Sequence, residues 1–83
     1  MKPQFTEEEL VLSHLFTRIA LKKNEITGVS IPTDYAPSNG ILVGPYDRGA
    51  DTVMIHTNEK NYYFYTGNAK AFVKKVEEFI QHN

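Results

Sequence analysis

The side chains able to do chemistry in this 83-residue chain are few and scattered. Its three histidines, His14, His56 and His82, have no two at a metal-ligand spacing on one helix, and no cysteine joins them. His14 and His56 read as surface residues of strands, and His82 as a cation suited to the unpaired carbonyls of a helix's last turn. Asp34, Asp47 and Asp51 lie in turn-rich sequence. They could hold a divalent cation or share proton-transfer work if their loops converged, but aspartates in such places ordinarily fix turns through side-chain-to-backbone bonds. Ser13, Ser30 and Ser38 lack the G-x-S-x-G setting of an activated nucleophile. "GPYDRG" has glycines five apart but no Lys-Ser/Thr after them, so it is no phosphate-binding P-loop. The expectation is a protein that is not an enzyme, with no catalytic residue, no metal and no cofactor.

Binding chemistry is better represented. "KNYYFYTGN", residues 60–68, sets Tyr62, Tyr63, Phe64 and Tyr65 side by side. Such a run can stack nucleic-acid bases, or it can be one strand with aromatics on both faces. A nucleic-acid interface needs cations around the rings. The formal net charge is −1, and only Lys60 is basic in this run, so no nucleic acid is expected and base stacking is the alternative reading. A second group lies in residues 32–51, "PTDYAPSNGILVGPYDRGAD", which holds three of the four prolines and three of the five glycines. Tyr35, Tyr46 and Arg48 there are of the types favoured as interface anchors, with Asp47 and Asp51 beside them. With Tyr63 and Tyr65 they form the candidate partner-binding set.

These residues need a frame. One domain is all that 83 residues can build, with 41% apolar and 23% charged residues and no disulfide to help. "GNAKAFVKKVEEFIQHN" spaces Phe72, Val73, Val76, Phe79 and Ile80 as one stripe of a helix over about 69–82, with Asn68 as its N-cap. "TVMIHT" and "NYYFYT" flank Asn58-Glu59-Lys60 as the arms of a β-hairpin. Alternation pairs Tyr62 with Phe64 on one face and Tyr63 with Tyr65 on the other. Phe64 has no hydroxyl to satisfy, which favours the interior for its face and leaves Tyr63 and Tyr65 as the exposed candidates. Residues 1–8 read as a tail or lead-in to the first strand. "TEEELVLSHLFTRIALKKN" reads two ways. Thr6 with Glu9 is a capping-box pattern, and Leu12, Leu15, Phe16 and Ile19 share a helix face; the same residues also alternate as two strands. The N-terminus has no apolar signal core, and no run approaches the ~20 apolar residues of a membrane span, so a cytoplasmic protein is expected.

The order of these pieces resembles a known family. "ELVLSHLFTRIALKKNEITGVSI" is similar to the opening of small bacterial pleckstrin-homology-like (PH-like) domains, and "GPYDRGADTVMIHTNEKNYYFYTGNAKAFVKKVEEFI" to the second half of the sublancin-immunity, SunI-like branch. The resemblance covers residues 8–80. It implies a mainly β, α+β fold: a small curved antiparallel barrel or sandwich of six to seven strands, closed by the C-terminal helix. It turns residues 9–22 into two strands and sets others near 27–31, 41–44, 52–57 and 61–66. The function it implies is a non-catalytic binding or adaptor domain, with a protein or peptide partner and bacteriocin immunity as one branch's role. It also allows peripheral attachment at the inner face of the membrane. Lipid-binding relatives of the fold grip headgroups with clustered cations, and here only Arg18, Lys22 and Lys23 lie near that region, a weak lipid site.

Overall fold

Residues 9–22, which periodicity alone leaves open, form two strands. The structure is a computed structural model and describes residues 1–33 and 37–81. Strands β1 (Lys2–Phe5), β2 (Glu9–His14) and β3 (Thr17–Lys22) make an antiparallel sheet in that order. Its register sets Phe5 beside Leu10 and Leu10 beside Leu21, while Leu12 pairs with Ile19. Alternation puts these five on one face, and Leu10 and Leu12 are completely buried.

The apparent helix start at Thr6 and Glu9 turns out to be a hairpin turn. The Glu9 amide donates to Thr6 Oγ1 at 3.1 Å, and the Thr6 amide donates to the Glu9 carbonyl at 2.8 Å. A threonine hydroxyl accepting from the amide three residues on serves an N-cap and a tight turn equally. Residues 1–8 are therefore more than a lead-in, because Lys2–Phe5 is a paired edge strand. Pro3 is tolerated there, since an edge strand has one side free of ladder bonds.

A 3₁₀ turn, Lys23–Glu25, ends the first sheet, with the Lys22 amide donating to Glu25 Oε1 at 3.0 Å. Strands β4 (Ile26–Ser30), β5 (Ile41–Leu42), β6 (Asp51–Thr57) and β7 (Asn61–Thr66) form the second sheet, ordered β4-β6-β7-β5. The β6–β7 hairpin turns at 58–60, where Thr57 Oγ1 accepts the Lys60 amide at 3.0 Å. Val53 pairs with Phe64 and Ile55 with Tyr62 on the inner face, and Val53, Ile55 and Phe64 are buried. Helix α1 (Ala69–Gln81) starts at Asn68, whose carbonyl accepts the Phe72 amide at 3.0 Å. It packs on β4, β6 and the 3₁₀ turn. Phe72 meets the Phe64 ring edge-on at 4.9 Å and the Phe5 ring at 5.7 Å, so the helix bridges both sheets. Ala69, Phe72 and Val76 are buried, while Val73, Phe79 and Ile80 are half-buried against the same core.

Two features of the expected barrel need correction. Among the described residues there are two separate sheets and no closed barrel, because the 3₁₀ turn carries the chain out of the first sheet between β3 and β4. The second sheet is mixed rather than antiparallel throughout. β5 lies parallel to β7, with Ile41 beside Tyr62 and Leu42 beside Tyr63, and it ends at Leu42 instead of residue 44. The fold is α+β, two β-sheets with one C-terminal helix.

Candidate functional site

Both faces of β6 and β7 are covered, and what covers the second face creates the candidate site. The stretch of residues 39–43 lies against the outer side of the hairpin. It is held by the Val43 amide donating to the Tyr63 carbonyl at 2.8 Å and by Asn61 Nδ2 donating to the Asn39 carbonyl at 3.3 Å. Gly40 makes the close approach possible. A Cβ there would lie 2.9 Å from both Met54 Cε and Tyr63 Cδ1. Met54 and Tyr63 are buried beneath, so Tyr63 is not the exposed contact that alternation suggested. A sheet's outer face is exposed only while no loop lies on it, and here a glycine lets one lie flat. Beyond β5, Gly44 adopts φ +91°, and a Cβ on it would come within 2.5 Å of Met1, so only glycine fits the bend that launches residues 45–50.

That loop places Tyr46 over the end of β7. Its ring meets Tyr65 edge-on at 5.2 Å, and Tyr65 in turn meets Tyr63 at 6.1 Å, giving a run of three tyrosines from the buried layer to the surface. Tyr46 is 55% exposed. Partial removal from water, and then the charge that Tyr63 and Tyr46 would carry if ionised, push the Tyr65 phenol above its ordinary pKa. Asp47 fixes the turn. Its Oδ1 accepts the Gly49 amide at 3.0 Å, and its carbonyl accepts the Ala50 amide at 3.3 Å, the structural role that such aspartates ordinarily have. Arg48 is exposed on the same turn, and Asp51 is exposed where β6 begins, paired with Thr66 of β7. Ile41 and Leu42, 44% and 37% exposed, add apolar surface on β5. Reading the sequence as a strand gave no hint of their exposure. Tyr35, Asp34 and His82 lie outside the described residues.

The remaining chemical candidates do not assemble. His56 Nε2 sits 2.8 Å from Ser30 Oγ across β4 and β6, which satisfies both groups. No cluster of three His, Asp or Glu side chains suited to a metal occurs among the described residues. Arg18 and Lys22 are at opposite ends of β3. A cleft of about 530 Å³ is lined by Lys22 and Lys23, but also by Glu8, Glu9, Asn24 and Ile80, and Lys23 Nζ rests 4.7 Å from the Phe79 ring centre. Cations opposed by neighbouring carboxylates make a poor headgroup cradle. No helix among the described residues is long and apolar enough to cross a membrane.

Two sheets with a bridging C-terminal helix agree with what comparison across protein families returns: residues 1–78 match the SunI-like bacterial PH domain. The chain belongs to that family. The match takes in β1 as well as everything through most of α1. A curated relative of this SunI-like domain is a UPF0457 protein of Bacillus cereus. It is 30% identical over 74 residues, which are 86% of this chain and 88% of that protein. No solved structure gives a significant match to this SunI-like domain.

Proposed function

We propose that this SunI-like PH domain is a non-catalytic binding module that docks a protein or peptide partner through Tyr46, Asp47, Arg48, Asp51 and Tyr65. The observation that carries this reading is the propped ring of Tyr46, half-exposed and braced on Tyr65. A ring already held in place loses little conformational entropy on binding, and an arginine beside it adds a second anchor of the favoured type. Side-chain docking fits better than strand addition. The adjoining edge strand β5 is two residues long and offers too few backbone groups to template a partner strand. Base stacking on residues 62–65 has little to support it, since Tyr63 is buried and the local charge is not basic. We place the domain in the cytoplasm, with any attachment to the inner face of the membrane peripheral.

The test is a photo-crosslinking side chain at position 46 or 48, compared with positions 59 and 74, in the cells that produce the protein. A discrete protein adduct is expected from the first pair only. Equal adducts from both pairs, or none from 46 and 48, would remove this face from consideration. The family's SunI branch motivates a narrower role in sublancin immunity. Expression in a sublancin-sensitive host should then raise the tolerated dose, and unchanged sensitivity disposes of that role.

A further inference from the structure

The tip of the β2–β3 hairpin breaks two rules at once, one of burial and one of backbone conformation. Register pairs His14 with Thr17, leaving Leu15 and Phe16 as a two-residue turn. Leu15 is 87% exposed and Phe16 fully so. Leu15 is also the one non-glycine residue with positive φ, 53°, among the described residues. Turns of this length favour Asn-Gly or Asp-Gly, because left-handed backbone strains a branched side chain. Two large apolar groups in water, one on strained backbone, oppose both solubility and folding, and such violations concentrate where a protein does something.

We propose that Leu15–Phe16 is a wedge that inserts into the interface of a bilayer containing anionic phospholipid. Two residue pairs behind the tip, Lys2, Ser13 and Arg18 lie side by side across the three strands, with both cations exposed. Residues 1–6 and 10–24 contain no aspartate or glutamate. The first sheet's carboxylates, Glu7 to Glu9, are at its opposite end. An open shallow groove lined by Met1, Lys2, Ser13, His14 and Leu15 adjoins the tip at headgroup level. Apolar groups at the leading point with cations one step back match the layering of an anionic membrane surface. A protein pocket fits less well. Protein anchors are ringed by further contacts that exclude water, and this tip projects without an apolar rim. The site uses none of the residues of the Tyr46 face and stands or falls separately from it.

The full chain is sedimented with phosphatidylcholine vesicles with and without phosphatidylglycerol at low salt. In parallel, F16W supplies a reporter in a chain that has no tryptophan. Binding to the anionic vesicles, a blue shift of the F16W emission, and quenching by bromine-labelled lipid are expected. L15N/F16S should lower vesicle binding roughly tenfold or more while its thermal midpoint holds or rises, because asparagine tolerates the left-handed turn. K2E/R18E should weaken binding to anionic vesicles selectively. No binding of the wild-type chain to anionic vesicles, undiminished binding by L15N/F16S, or loss of a self-associated dimer as the sole effect of L15N/F16S would each overturn the proposal.

Discussion

Phe72→Ala asks whether one side chain of α1 ties the two sheets together. Phe72 is 9% exposed and contacts Phe64 of the second sheet at 4.9 Å and Phe5 of the first at 5.7 Å. Truncating a buried phenylalanine costs about 3–5 kcal/mol, ring contacts included. For a chain of 83 residues, total stability is about 4–12 kcal/mol, at ~0.05–0.15 kcal/mol per residue. At the lower end of that range the variant sits at the folding threshold, so Phe72→Leu, at roughly 1–2 kcal/mol, provides a measurable companion. Phe79 shares the helical stripe but not the depth. It is half-buried, edge-on to Phe5 at 5.1 Å and beneath Lys23, and Phe79→Ala should cost about 1–3 kcal/mol. Urea unfolding followed by tyrosine fluorescence and circular dichroism gives these losses as midpoint shifts at constant slope. A Phe72→Ala loss below about 1.5 kcal/mol, or one smaller than that of Phe79→Ala, would mean that α1 does not bridge the sheets at Phe72.

Two further substitutions probe the covered aromatic face. Gly40→Val should cost about 1–3 kcal/mol, because the Met54 tip can move aside but the Tyr63 ring cannot; acrylamide quenching of tyrosine emission should rise, and unchanged quenching would show that the loop is not seated by Gly40. Tyr65 should titrate above ordinary tyrosine, its surroundings and then its tyrosine neighbours disfavouring the phenolate. The folded state then holds this proton longer than the unfolded chain, so stability is level below about pH 10 and falls as pH rises toward the folded pKa. Tyr46→Phe removes one neighbouring charge and should lower the Tyr65 pKa in a phenolate absorbance titration; a Tyr65 that already titrates at or below the ordinary value would contradict the packing.

What the sequence disclosed follows from how local each signal was. The α1 stripe and the β6–β7 hairpin are written within 17 and 15 consecutive residues respectively, and both appear within a residue of their expected bounds. Residues 9–22 needed information from elsewhere. Their leucines satisfy a helical stripe and a strand alternation together, and the Thr6–Glu9 bond suits either, so only pairing with β1 and burial of Leu10, Leu12 and Leu21 decides. β1 itself carries no pattern to read: of Lys2–Phe5 only Phe5 packs on the core, and the pairing partner supplies the rest.

The candidate site was legible in residue type but not in placement. Tyrosine and arginine in a glycine-rich loop make a candidate contact surface on chemical grounds, yet which tyrosines reach solvent depends on a loop well before the aromatic strand in the chain. Tyr63 is buried because Gly40 lets that loop lie against it, and Tyr46 stands at the surface because Gly44 turns the chain outward. The crowd of aromatics at 62–65 thus divides by depth. Tyr62 and Phe64 build the core, Tyr63 seats the loop, and Tyr65 braces Tyr46. A binding platform would need several rings free at once to accept a flat ligand. This arrangement commits the rings of the strand to holding structure, so the ring left half-exposed comes from the loop, and its support comes from the strand.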